Sequence, residues 1–151
     1  MKNFLLFVII ACFAIKTNAY TLQKYTVELN FPWGMTWLDS AKLLITEKKS
    51  TNIILLDTKK NTSIKIKHTI PVASLGQGGL LDIVSDGNIV WISCSIMKNN
   101  FFTTAVYRSE LINNSLVNSK LIFEAEPYIS NTKHFGSRLT LQGDFLFVSI
   151  G

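Results

Sequence analysis

Three stretches of this sequence follow one plan, and that repetition constrains the fold more than any other feature. Residues 33–46 read WGMTWLDSAKLLIT, residues 78–93 read GGLLDIVSDGNIVWIS and residues 135–149 read FGSRLTLQGDFLFVS. Each carries a glycine, then an apolar strand, a polar turn and a second apolar strand ending in Thr or Ser. The ends at Thr46, Ser93 and Ser149 lie 47 and 56 residues apart. One four-stranded propeller blade takes about 40–50 residues. Between the repeats run further short apolar segments: YTVELN, NIILLD, SIKIK, TTAVYR and SLVNSKLIFE. They are rich in Val, Ile, Thr, Phe and Tyr and are separated by Asp-Gly, Asn-Asn and Lys-Lys turns. No stretch after residue 20 keeps a helical period over eleven residues. The expectation is an all-β chain of one domain, a β-propeller in preference to a β-sandwich or a stack of unrelated hairpins.

Propellers close by going round, typically with about 4–8 blades. Residues 20–151 suffice for about three, the last half built. Because blades bury their faces only against neighbours, we expect the N-terminal part of a longer protein. Residues 1–19 read as a signal peptide: Lys2, an apolar run from Phe4 to Ile15 too short to span a bilayer, and small residues at Thr17 and Ala19. An uncleaved anchor and a lipoprotein signal ending at Cys12 are the alternatives. Cleavage predicts a periplasmic or secreted product with no stable membrane association. It also leaves Cys94 alone, so no internal disulfide forms and the hydrophobic core must hold the fold. Within VWISCS that thiol reads as buried and inert. The formal charge of +5 includes Lys2 and Lys16 of the leader. The remaining lysines are scattered rather than clustered with aromatics, which argues against nucleic-acid binding.

Two polar residues occupy equivalent places in the repeats. Gln77 directly precedes Gly78, and His134 stands two residues before Gly136, the glycines that open their repeats, so a propeller puts both at one end of the molecule and at similar radius. Neighbouring glycines (Gly76, Gly78, Gly79, Gly136) would admit a flat ligand close to the backbone. Imidazole accepts a proton near neutral pH, which suits general-base chemistry on a hydroxyl. The plainer alternative is that His134 and GQGG only build turns. His68, in IKIKHTIP, reads as a surface strand residue. Two histidines and one cysteine far apart give no metal-ligand spacing. GQGG lacks the Gly-Lys-Ser/Thr ending of a phosphate loop.

In order along the chain, FPWGMTWL (31–38), LLITEK (43–48), GQGGLLDI (76–83), Glu126-Pro127 and HFGSRL (134–139) resemble the glucose/sorbosone dehydrogenase family. The pairing of GQGGLLD with HFGSRL some fifty residues later is specific. The resemblance implies a six-bladed β-propeller in the full-length protein. It also implies oxidation of an aldose sugar at C1 to the lactone, with pyrroloquinoline quinone (PQQ) as hydride acceptor. His134 would be the general base on the anomeric hydroxyl, and Gln77 would hydrogen-bond at the sugar and cofactor site. Arg138, by its alternation, reads as a structural donor. The groups that grip PQQ's carboxylates and the calcium ligands would lie beyond residue 151, so this segment alone would be inactive. Lys133 stands where some glucose-specific members carry an acid, so glucose specificity does not follow. The sugar and the electron acceptor stay open. The competing class is a non-catalytic exported propeller that binds carbohydrate or protein.

Overall fold

A computed structural model describes residues 20–151; the expected signal peptide lies outside the described residues. Ten strands form three sheets. Sheet 1 holds β1 (Pro32–Trp37), β2 (Lys42–Glu47), β3 (Ile53–Asp57) and β4 (Thr62–Ile66). Sheet 2 holds β5 (Leu80–Asp86), β6 (Ile89–Lys98), β7 (Phe101–Ile112) and β8 (Ser115–Glu124). Sheet 3 is the hairpin β9 (Leu139–Gln142) and β10 (Phe145–Val148). Sheets 1 and 2 are antiparallel meanders in chain order. The first strands converge, β1 packing on β5 and β5 on β9. This is the radial plan of a propeller: two whole blades and the inner half of a third, in register with the three repeats. Among the described residues there is no helix.

Local chemistry accounts for the hairpins. Asn99-Asn100 and Asn113-Asn114 each place two successive residues at positive φ, 52° and 64°, then 48° and 61°. That is the backbone of a two-residue turn whose twist matches the strands, and asparagine tolerates it. In the β1–β2 turn the Asp39 carboxylate accepts the N–H groups of Ala41 and Lys42 at 2.7 and 2.8 Å. Asp57 does the same for Lys59 and Lys60 in the β3–β4 turn.

The main core lies between sheets 1 and 2. Leu44, Ile53 and Ile66 face Leu80, Ile83, Val90 and Ile92, together with Cys94. Cys94 is fully buried, and burial pushes its thiol up to about 12, in keeping with an inert thiol. A smaller cluster of Leu81, Phe102 and Phe135 joins sheet 2 to sheet 3.

Hydroxyl groups tie successive sheets in a repeating way. The first strands of sheets 1 and 2 each carry a bulge, at Trp33-Gly34 and at Leu81-Asp82, where the ladder register shifts. A bulge takes an N–H and a C=O out of the ladder. Thr46 Oγ1 accepts the freed Gly34 N–H at 2.9 Å and donates to the freed Leu81 carbonyl of the next sheet at 2.5 Å. Ser93 Oγ accepts the Asp82 N–H at 2.9 Å and donates to the Ser137 carbonyl of sheet 3's entry at 2.6 Å. Ser149 Oγ accepts the Arg138 N–H at 2.9 Å. The equivalence of Thr46, Ser93 and Ser149 is therefore one of hydrogen bonding and not of strand ends. Ser93 sits inside β6, which continues to Lys98 because its partner β7 is long enough to pair with it to Phe101.

Two expectations are corrected. YTVELN alternates as a strand should, with Tyr25, Val27 and Leu29 packed on Ile45, Ile54 and Leu56. Residues 20–29 nevertheless form no strand, because this segment crosses the outer face of sheet 1 without an edge to pair with. Side chains hold it instead, Asn61 Oδ1 accepting the Thr26 N–H at 3.0 Å and Glu47 Oε1 the Asn30 N–H at 2.6 Å. His68 lies past the end of β4, half-buried, and its Nε2 meets the Thr51 carbonyl at 2.8 Å. A carbonyl only accepts, so Nε2 carries the proton.

Candidate functional site

Antiparallel pairing decides which residues meet at one end of the sheets. The segments that lead into β1, β5 and β9 and the segment that leaves β2 all lie at the same end. There a cavity of about 300 Å³ is lined by Trp33, Lys48, Gln77, Leu81, His134 and Phe135. A larger opening of about 540 Å³ lies at the opposite end, between the β5–β6 and β9–β10 turns. It is an open groove without a histidine, so the chemistry points to the smaller cavity.

Gln77 and His134, 57 residues apart, are brought into direct contact: Gln77 Oε1 accepts the His134 backbone N–H at 3.0 Å. The Gln77 N–H donates to the Thr132 carbonyl at 2.8 Å. His134 has φ 61°, a left-handed backbone that costs a non-glycine residue of order 1 kcal/mol or more. Its imidazole is exposed and, among the described residues, makes no hydrogen bond to protein.

The glycines around Gln77 do not leave room for a flat ligand, as the sequence reading supposed. Gly76 has φ +57° and is pressed against Thr132. Gly79 has φ +142° and is pressed against the Lys48 carbonyl, which also accepts the Leu80 N–H at 3.1 Å. The space a Cβ would fill is occupied by the segments that leave β2 and lead into β9. These glycines make the GQGG turn a close-fitting junction of all three sheets.

Lys48 is a site residue that the sequence reading did not single out, since it counted Lys48 among scattered lysines. Lys48 Nζ lies 3.7 Å from the centroid of the Trp33 ring, within cation–π range. Burial, and secondarily the charge of Lys49, holds its ammonium below the usual lysine range. The signal was available: β2 ends beside the start of β1, so the residues after Thr46 stand at the same end as those before Gly34. Arg138 Cζ approaches the Trp33 ring at 5.9 Å. Its Nη1 lies 3.4 Å from Asp82 Oδ1, and Asp82 Oδ2 accepts the Leu139 N–H at 2.9 Å. Arg138 is thus a donor to structure, as expected, and Asp82 is its buried partner.

The family model for glucose/sorbosone dehydrogenase matches residues 29–151. The chain belongs to this family. It is 33% identical over 136 residues to an uncharacterized protein of Synechocystis sp., covering 82% of this chain and 33% of that protein. It is 28% identical over 144 residues to an aldose sugar dehydrogenase of Escherichia coli strain K12, covering 89% of this chain and 38% of that one. The chain thus spans about a third of the length of these curated relatives. Among solved structures, a glucose dehydrogenase superposes with a TM-score of 0.75 at 30% identity, covering 82% of this chain and 38% of that chain. The PQQ-bound form of an aldose sugar dehydrogenase from Streptomyces coelicolor superposes with 0.76 at 21% identity, covering 87% and 41%; that likeness speaks to the fold alone. The neighbours are propeller dehydrogenases, so the family propeller contains these two and a half blades.

Proposed function

We propose that a chain of the relatives' full length carrying this segment is a PQQ-dependent dehydrogenase that oxidises an aldose at C1 to the lactone, with His134 as general base. The observation that carries the reading is an exposed imidazole with no protein partner among the described residues, held at a cavity beside Gln77, Lys48 and Trp33. The lining suits a flat, anionic quinone in part: an indole face, one ammonium and a side-chain amide. One ammonium does not balance several carboxylates, and in this reading the remaining cations come from the rest of the full-length chain. When bound, PQQ supplies a two-electron hydride acceptor.

The chain's own contribution is proton removal. A sugar hydroxyl is far too weak an acid to ionise at pH 7, so a base must take its proton as the C1–H bond breaks. In this reading His134 receives that proton. Calcium is a different matter: among the described residues no group of three His, Cys, Asp or Glu side chains converges to hold a metal, and nothing in the proposal passes through one. Residues 1–19 direct export, and N-terminal sequencing of the exported protein should begin at Tyr20.

The test is His134→Ala in the full-length protein loaded with PQQ. General-base assistance is worth about 10²–10⁴ in rate, so kcat should fall at least about a hundredfold while PQQ binding survives. Turnover near that of the unaltered protein would overturn the general-base role of His134, whereas no sugar oxidation by the unaltered PQQ-loaded protein would favour a non-catalytic propeller.

A further inference from the structure

We propose that Gln77 is a positioning residue: it acts by fixing the backbone of His134 rather than by contacting the sugar. The proposal deepens the general-base reading and rests on it. Three observations carry it. First, Gln77 grips both ends of the Thr132–His134 segment. Its N–H donates to the Thr132 carbonyl at 2.8 Å, and its Oε1 accepts the His134 N–H at 3.0 Å. The side-chain acceptor is therefore already used by protein. The amide orientation is fixed as well, because a flipped amide would set its NH₂ against the His134 N–H.

Second, His134 needs holding. At φ 61° it lies in the left-handed region, where a non-glycine residue persists only if its surroundings over-determine it. The segment around it is irregular from Asn131 to Gly136, and backbone pairing with Ser149 begins only at Ser137. Relaxation of φ to the ordinary range would swing the imidazole away from the cavity. Displacement of a catalytic group by about 1 Å can cost a hundredfold in rate.

Third, the grip is itself rigidly mounted. Gly76 is packed against Thr132 and Gly79 against Lys48. Gly79 N–H donates to Ser95 Oγ at 2.7 Å, and Gly78 N–H to the Leu75 carbonyl at 2.8 Å. The turn that carries Gln77 is thus locked to sheets 1 and 2, and Gln77 transmits that rigidity to sheet 3's entry loop. The repeat brings His134 and its holder to the same end of neighbouring blades, although they are 57 residues apart.

Two variants separate holding from ligand binding. Gln77→Ala removes the acceptor. Gln77→Glu keeps an acceptor for the His134 N–H and removes the amide donor that a sugar ligand would need. The first readout is amide hydrogen exchange by NMR on the full-length protein without PQQ, which needs no turnover. Gln77→Ala should speed exchange of the His134 amide on the order of tenfold, the loss of one hydrogen bond, with the strand amides unchanged. Gln77→Glu should leave it protected. The second readout is turnover of the full-length protein loaded with PQQ. Gln77→Ala should lower kcat with little change in KM, and Gln77→Glu should recover most of the loss. Unchanged His134 exchange in Gln77→Ala overturns the proposal, as does a rise in KM of equal size in both variants with kcat intact. Failure of His134→Ala to slow turnover would instead defeat the general-base reading, while the exchange measurement still reports on the grip.

Discussion

Removing the Ser93 hydroxyl should cost far more than a serine-to-alanine change usually does. Ser93 is fully buried, and its Oγ serves two backbone groups at once: it accepts from Asp82 N–H at 2.9 Å and donates to the Ser137 carbonyl at 2.6 Å. The bulge at Leu81-Asp82 keeps that N–H out of the β5–β6 ladder, so no strand neighbour replaces the lost partner. Ser93→Ala keeps Cβ and opens no cavity, which leaves the cost to two stranded polar groups. At about 1–3 kcal/mol for each buried unsatisfied group, the expected loss is roughly 2–5 kcal/mol. At about 3–5 °C per kcal/mol for a unit of this size, Tm falls by roughly 6–25 °C. Thr46→Val, which keeps the side-chain shape and strands Gly34 N–H and the Leu81 carbonyl, should lose a similar amount. The control is Ser109→Ala. Ser109 is equally buried, but its hydroxyl meets only the Ser119 hydroxyl at 2.8 Å. That partner is half-exposed and can turn to water, so the cost should stay near or below about 1 kcal/mol. Urea and thermal unfolding followed by circular dichroism measure all three. A Ser93→Ala loss no larger than that of Ser109→Ala would refute the idea that hydroxyls satisfy the bulges.

Three further outcomes follow from the same geometry. Asp82→Ala should destabilise by about 1–3 kcal/mol, because the Leu139 N–H loses its buried acceptor. Arg138→Ala should cost under about 1 kcal/mol, since that side chain is 64% exposed and its ion pair is solvent-screened; equal losses in urea titrations would contradict this asymmetry. Burial pushes the Glu47 carboxyl up, but hydrogen bonds from Ser50, the Asn30 N–H and Asn52, with the charge of Lys65, outweigh it and hold it below its ordinary 4.5. A depressed carboxyl stabilises the fold above its unfolded value and loses that contribution as pH falls through the lower folded value. Stability measured below pH 4.5 should therefore fall less steeply in Glu47→Gln than in the unaltered chain. Cys94, with its thiol pushed up to about 12, should resist iodoacetamide at pH 8 in the native protein and react once unfolded, as mass spectrometry will show.

The strands, their turns and their grouping into blades were legible in the sequence because each depends on local chemistry. KLLITE and SLVNSKLIFE coincide with β2 and β8 residue for residue. Alternation, β-branching and Asn-Asn or Asp-Gly turns act within a few residues, and the repeat marks where one sheet ends and the next begins. The family motifs also singled out Gln77 and His134. Tertiary structure alone decided what those residues touch. That Gln77 Oε1 meets the His134 N–H, that Thr132 and Lys48 fill the space beside Gly76 and Gly79, and that Lys48 stacks on Trp33 are contacts between segments 15 to 57 residues apart. No local pattern encodes them. The same holds for YTVELN, whose alternation was read correctly and whose strand was not. Alternation reports which side chains face an apolar surface, whereas a strand needs a free sheet edge, and only the packed fold determines whether one is within reach.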